Sequence, residues 1–341
     1  MSSKHELNAT VKTWIMTTLT VTIMSMRHGQ IKDNDVAHPK GHLRSFGSSG
    51  TIRLVNFTSG FPETRPFLED YIISSEPLLM RGAQALFAAY DKWTDEYLAH
   101  TVTQGDAAFV WCETQKKEAR SLPPKFMSFS RFLKIYNVSD LYVVDTVPEV
   151  LAHDVVLPCP LQCPALKLAV DTSFLWFSSG GTKSVVHVDS YENILCVLRG
   201  SKTVTMVSTA GGLDKFPFQP DGSIEIDVEK VDLHKFSVFA EVEFVVAHLS
   251  VGDCLYIPTH WIHQVNSSGS NIAVNVWWGR EPSVRVAETG ACHDHVTCDP
   301  SLTLDTVTWP WSGDDALDGT CQAVSINDDV CYQETLFRGM Y

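Results

Sequence analysis

The run KSVVHVDSYENILCVLRGSKTV (residues 183–204) reads as strand material, SVVHVDS and then NILCVLRGSKTV, with RGSK marking a turn. Successive side chains of a strand project to opposite faces, so His187 and Asp189, two residues apart, point together into whatever the sheet encloses. They form a candidate two-pronged arm for a metal ion. A His-x-Asp triplet also arises as an ordinary strand surface, so the surroundings carry the weight of the reading.

Downstream, GDCLYIPTHWIHQVNSS (252–268) offers His260 and His263 just after a Gly-Asp turn and a strand, and either could supply a third ligand. Two histidines and one carboxylate on one face of an iron ion make a facial triad that leaves coordination positions open for a co-substrate and oxygen. Around these two stretches the chain has the texture of a many-stranded domain. FLWFSSGG, SIEIDV, EFVVAHLSVGDCLYIP and NIAVNVWW are short strand-like runs, SVGD is a second turn, and no internal repeat is visible. Strands at such spacing point to a sandwich or barrel, not to alternating strand–helix units.

Upstream the period is helical. FLEDYIISSEPLLMRGA (67–83) gives a short helix and then a strand near 77–81, and YDKWTDEYLAHTV (90–102) is a helix entered through Thr94 as its cap. SFSRFLKIYN (128–137) sets Phe129, Phe132, Leu133 and Tyr136 on one helical face. These helices pack a core and bring no chemistry.

Composition narrows the function classes. With 341 residues, 44% of them hydrophobic and 10% aromatic, the chain can bury a sizeable core. A formal net charge of −14 with no long lysine or arginine run leaves no footprint for a phosphate backbone, so direct nucleic-acid binding is not expected. Nine cysteines are too scattered for a zinc ribbon. ACHDHVTC (291–298) gathers two cysteines with His293 and His295, but no second half-site has zinc-like spacing, which favours free or disulfide-bonded cysteines in a polar tail.

KTWIMTTLTVTIMSMR (12–27) is an apolar stretch diluted by threonines, too short for a clear membrane span and closer to the core of a signal peptide. Asn-x-Ser/Thr sequons begin at Asn8, Asn56, Asn137 and Asn266. Secretory entry and a cytoplasmic location are equally open on this reading, as are membrane attachment through the N-terminus and a homodimer. AHPKGHLRSFGSSG (37–50) reads as a linker. The domain plan is a leader and linker over 1–50, an oxygenase domain over 51–285, and a C-terminal extension over 286–341.

GTKSVVHVDSYENILCVLRGSKTVTMV, followed by GDCLYIPTHWIHQVNSSGSNIAVNVWW, resembles the JmjC family of 2-oxoglutarate oxygenases, and within it the factor-inhibiting-HIF hydroxylase group. The likeness covers roughly residues 65 to 280, including PLLMRGA and KWTDEYL. It implies a mainly β fold, a cupin-like double-stranded β-helix or jelly roll buttressed by N-terminal helices. It also implies Fe(II), 2-oxoglutarate as co-substrate and molecular oxygen, with His187, Asp189 and His263 as the iron ligands. His260 then falls where the family favours an aromatic, and a buried structural histidine is expected there.

Further positions follow from the same resemblance. Lys202 matches the lysine that pairs with the distal carboxylate of 2-oxoglutarate, a charge that would be costly unpaired in a desolvated barrel. Ser184 matches a hydroxyl position for that carboxylate, and Asn193, Asn275 and Trp277 fall where the group lines the site. For the last three, polar and aromatic residues satisfied within the barrel are an equal reading. The expected activity is hydroxylation of a protein or peptide side chain. Lysine demethylation is the alternative within the family. A metal cupin that does not use 2-oxoglutarate would keep the triad but have no need of Lys202, and a binding scaffold without 2-oxoglutarate turnover would tolerate loss of any ligand.

Overall fold

The computed structural model describes residues 54–103, 108–118, 122–294 and 298–307, together with two short strands outside these ranges, Leu43–Arg44 and Val330–Cys331. In chain order the first strands are β1 (Leu43–Arg44), β2 (Val55–Phe57), β3 (Leu78–Met80), β4 (Phe109–Glu113), β5 (Lys125–Ser128), β6 (Tyr142–Thr146) and β7 (Val170–Ser178). They are followed by β8 (Val186–His187), β9 (Glu192–Val207), β10 (Ser223–Ile224), β11 (Val231–Asp232), β12 (Phe244–Leu249), β13 (Cys254–Ile257), β14 (Ile262–Trp278) and β15 (Val330–Cys331). Thirteen of them hydrogen-bond into one continuous sheet, and β1 pairs separately with β11. The apolar leader lies outside the described residues. Of the linker-like stretch, the described part, Leu43–Arg44, is paired as a strand instead. No helix among the described residues is long and apolar enough to cross a membrane.

Two long strands organise the domain. β9 and β14, of 16 and 17 residues, run antiparallel along their whole length. One half of this pair is flanked by β13 and β7, the other by β12 and β8, so the sheet folds back on itself as a mainly β, jelly-roll-like barrel. Tight covering on both faces explains why residues 192–198 are all buried. Ile194, Cys196 and Leu198 face the core shared with the helices, while Leu195 and Val197 face a second core inside the barrel.

RGSK, expected to be a turn, lies inside β9. Its turn-like composition serves a kink: Gly200 has φ of +72°, where a side chain would also press on the carbonyl oxygens of Ser268 and Ser270. A bulge two residues earlier re-phases the strand: Ile272 of β14 pairs with Arg199 and Ala273 with Val197, which leaves Leu198 extra on β9. Odd-numbered Leu195 and Val197 face the interior before the kink, and even-numbered Val204 and Met206 face it afterwards. A bulge that shifts the alternation by one residue turns every following side chain over. SVGD does form a turn, in which Asp253 accepts from the Ser250 amide at 2.9 Å.

The N-terminal helices form as expected. Thr94 caps the helix Asp95–Thr101 by accepting from the Tyr97 amide, and Phe129, Phe132 and Tyr136 pack edge-to-face with Phe177 of β7. Glu192, wholly buried at the start of β9, accepts from the Tyr256 hydroxyl, the Thr259 amide and Arg280, tying β9, β13 and the helix Arg280–Thr289 together.

Three disulfides complete the framework. Cys196–Cys254 bridges facing residues of β9 and β13. Cys159–Cys298 and Cys163–Cys292 pair each of two closely spaced upstream cysteines with a downstream one, so the ACHDHVTC cysteines are bonded rather than metal-binding. These bridges span 139 and 129 residues, and the chain beyond the helix is drawn into the main core, where Cys292, Leu304 and Val307 are buried. Closing loops of this length restricts the unfolded chain by roughly 4–5 kcal/mol each in the chain-entropy model.

Because both φ and space at position 200 demand glycine, Gly200→Ala should destabilise the fold by about 2–4 kcal/mol in chemical denaturation. An alanine variant as stable as the parent would show that position 200 needs neither the left-handed backbone nor the space that glycine leaves.

Candidate functional site

The first two site residues are placed by pairing. His187 of β8 lies directly opposite His263 of β14, with ring centroids 4.3 Å apart. Asp189, two residues past His187, turns its carboxylate between them: Oδ1 is 3.6 Å from His187 Nε2 and Oδ2 is 3.5 Å from His263 Nε2. The three ligand atoms lie within 4.8 Å of one another. Each imidazole is oriented from behind, His187 Nδ1 by the Val185 carbonyl at 3.0 Å and His263 Nδ1 by the Trp261 carbonyl at 2.9 Å. A carbonyl can only accept, so Nδ1 carries the proton and the Nε2 lone pairs are aimed at the centre. This donor set, two neutral imidazoles and one carboxylate on a common face, fits a non-haem Fe(II) ion.

His260 was expected to be buried; it is exposed, in a left-handed conformation with φ of +64°. Its contribution is made by the backbone. The His260 amide and the Thr259 hydroxyl both donate to the Asp189 carbonyl, at 2.9 and 3.2 Å, which pins the carboxylate arm to the loop before β14.

The triad opens into a pocket that also reaches Lys202, Ser184, Asn193, Asn275 and Trp277. Lys202 is 2% exposed, and its ammonium donates to Ser267 Oγ at 2.8 Å. Among the described residues no carboxylate pairs with it, and burial pulls its pKa down to about 7. The remaining partners differ in availability. The Ser184 hydroxyl donates to the Val185 carbonyl and accepts from the Val265 amide, so its proton is engaged by the backbone. Asn275 Oδ1 accepts from the Phe174 amide, fastening β14 to β7. Asn193 Oδ1 is buried with no partner, and so is the indole nitrogen of Trp277, whose ring stacks on Tyr191.

Three lining residues carried no local signal in the sequence. Trp176 on β7 presents a second buried, unpartnered indole N–H, Tyr142 on β6 stands beside it with ring centroids 5.9 Å apart, and buried Glu118 holds the Val185 amide at 3.2 Å. A buried cation and two orphaned N–H donors line one cavity, and each carries a desolvation cost that an anionic ligand would repay.

The Cupin-like domain model matches residues 64–284, more than half of the chain. The chain belongs to the Cupin-like domain family. It is 24% identical over 240 residues to "Lysine-specific demethylase 8" of Xenopus tropicalis, an alignment covering 64% of this chain and 51% of that protein. It is 22% identical over 287 residues to "Bifunctional peptidase and (3S)-lysyl hydroxylase JMJD7" of Homo sapiens, covering 71% and 90%. It is also 25% identical over 239 residues to "tRNA wybutosine-synthesizing protein 5" of Gallus gallus, covering 64% and 74%. The chain spans about half the length of the demethylase relatives.

Replacing His187, Asp189 or His263 by alanine should lower Fe(II) binding at least a hundredfold in anaerobic titration with the barrel still folded, while His260→Ala leaves it within a few-fold. Retained iron affinity in His263→Ala together with loss in His260→Ala would overturn the ligand assignment. Lys202→Met should stabilise the ligand-free protein by roughly 1–4 kcal/mol at neutral pH, because it removes a buried, unpaired cation. The gain should be largest below pH 7 and shrink as pH rises towards 10.5, because the unfolded chain keeps a lysine proton that the native state sheds at about pH 7. Equal stability of parent and variant across that range in thermal melts would show that Lys202 is solvated.

Proposed function

We propose that this chain is an Fe(II)- and 2-oxoglutarate-dependent oxygenase that hydroxylates a side chain of a protein or peptide substrate. The observation that carries the reading is Lys202, a buried ammonium with no carboxylate partner among the described residues, in the same cavity as the His187–Asp189–His263 triad. A metal cupin without an anionic co-substrate has no use for such a group, which costs stability wherever it is left unpaired.

In this reading His187, Asp189 and His263 hold the metal through Nε2, a carboxylate oxygen and Nε2. Lys202 pairs with the far carboxylate of 2-oxoglutarate, and the Trp176 and Trp277 N–H groups are donors at hand for the co-substrate's oxygens. Ser267, bonded to the Lys202 ammonium, holds that cation in place. Ser184 serves the backbone before it serves a ligand, because donation to a carboxylate would require its bond to Val185 to break. Asn193 lines the cavity with an open acceptor, and Asn275 and Trp277 form its wall on β14. The bound metal and co-substrate supply the oxidising power for attack on a substrate C–H bond, the overall reaction converting 2-oxoglutarate and oxygen to succinate and carbon dioxide as one oxygen atom enters the substrate. The protein's share is to orient the ligands, neutralise the co-substrate's charge and keep water from the reacting atoms.

The names of the relatives include both a lysyl hydroxylase and lysine demethylases, and demethylation of a methyl-lysine would use the same centre on an N-methyl group. The acidic chain, with a net charge of −14, favours hydroxylation of a polypeptide over action on a nucleic acid.

Purified, iron-loaded protein should release succinate from 2-oxoglutarate, faster with a suitable peptide pool, and Asp189→Ala should abolish the release. A folded, iron-binding protein that leaves 2-oxoglutarate untouched under all these conditions contradicts the proposal. Lys202→Met should weaken 2-oxoglutarate binding by tens to thousands of fold, equivalent to about 2–5 kcal/mol, with Fe(II) affinity nearly unchanged. In the parent, co-substrate affinity should fall as pH rises above about 7, because binding then requires a proton on Lys202 that the empty site no longer holds. Affinity independent of pH between 6 and 9 would argue against the pairing.

A further inference from the structure

Six of the seven cysteines whose side chains are described are joined in pairs, and the seventh, Cys112, is buried in the main core. No thiol among them reaches the surface. The pairs are built by tertiary structure rather than by sequence proximity: Cα atoms 139, 129 and 58 positions apart meet at 5.0, 5.9 and 4.1 Å. Such a framework is stable where thiols are oxidised and is rare where glutathione and thioredoxin keep them reduced.

The sequons give an independent observation. Asn266 lies within β14, flanked by β9, where its Nδ2 donates to Glu229 at 3.0 Å and its Oδ1 is buried. A glycan there would have to displace that contact and fit against the paired strands. Asn137 is the opposite case. It stands exposed in the tight turn Tyr136–Val138 that ends the helix Phe129–Ile135, next to Val138, which is 89% exposed, and outside the cavity wall. An isoleucine- or valine-sized apolar side chain held almost fully in solvent beside a sequon asparagine is a surface that a sugar can cover.

We propose that this domain folds in the oxidising secretory route, with its three disulfides formed and with Asn137 carrying an N-linked glycan. Each disulfide forms as two thiols give two protons and two electrons to a disulfide-bearing oxidoreductase, which leaves as the dithiol. The glycan arrives as the Asn137 amide nitrogen bonds to the anomeric carbon of a lipid-diphosphate oligosaccharide. The bond from that carbon to the diphosphate breaks, the lipid diphosphate departs, and the amide gives up one proton. The proposal is independent of the co-substrate reading, since neither the disulfides nor Asn137 touch the triad.

The test uses the full chain expressed in eukaryotic cells. Native protein should take up no alkylating reagent on Cys159, Cys163, Cys196, Cys254, Cys292 or Cys298 before reduction and should take it up on all six afterwards, read by peptide mass spectrometry. Glycosidase treatment should increase electrophoretic mobility. Asn137→Gln and, as a second way of removing the same sequon, Ser139→Ala should each remove one glycan's worth of that shift, and Asn266→Gln should leave it unchanged. Alkylation of these cysteines in the unreduced, folded protein overturns the proposal. A glycosidase shift that is absent, or that survives both Asn137→Gln and Ser139→Ala in full, overturns it equally.

Discussion

One cross-strand pairing governs this molecule: His263 of β14 opposite His187 of β8. Because a strand repeats every two residues, fixing that register fixes the direction of Asp189 as well, and a slip of one residue would turn the histidine of the slipped strand out of the barrel. The pairing is held at both ends. Asp189 is pinned through its carbonyl by Thr259 and His260, and Glu192 gathers Tyr256, Thr259 and Arg280 around the start of β9. The left-handed backbone at His260 belongs to this clamp, and the strain of a non-glycine residue with positive φ is sustained by hydrogen bonds on both sides, from its amide to Asp189 and from Thr209 to its carbonyl.

The second constraint is the bulge at Leu198 in β9, next to the left-handed Gly200. Without it, the alternation that sends Leu195 and Val197 into the barrel would send Lys202 outwards, and the cavity would lose its cation. Gly200, two residues on, takes a backbone conformation that no other residue could take without strain, and the cost of the buried ammonium falls on the stability of the ligand-free protein. A charge so placed carries a cost that an anionic ligand would repay.

Much of this was legible in the sequence, and the failures have physical causes. His-x-Asp on a strand announces a shared face directly, and the Thr94 cap and the Phe129–Tyr136 face follow from helix chemistry alone. RGSK was misread because Gly and Ser have the same local signature in a kink as in a turn; only the pairing of β9 with β14 on both sides of Gly200 separates the two. His260 and His263 are three residues apart, and what separates their fates is a loop conformation rather than composition. The contributions of Trp176, Tyr142 and Glu118 are tertiary: an aromatic residue in an apolar strand looks like core until the opposite wall of the cavity is known. The nesting of Cys163–Cys292 inside Cys159–Cys298 was invisible for the same reason, since the spacing of cysteines does not fix their connectivity.

The central claim is that the triad and Lys202 form one receptor for a metal ion and a dicarboxylate. It is tested most directly by a crystal structure of the protein soaked anaerobically with Fe(II) and 2-oxoglutarate, with the metal located by anomalous scattering. The predicted result is a single metal peak within bonding distance of His187 Nε2, His263 Nε2 and an Asp189 carboxylate oxygen, with the far carboxylate of the co-substrate against Lys202 Nζ. Metal bound elsewhere, or a co-substrate carboxylate that leaves Lys202 bonded to Ser267 alone, would contradict it.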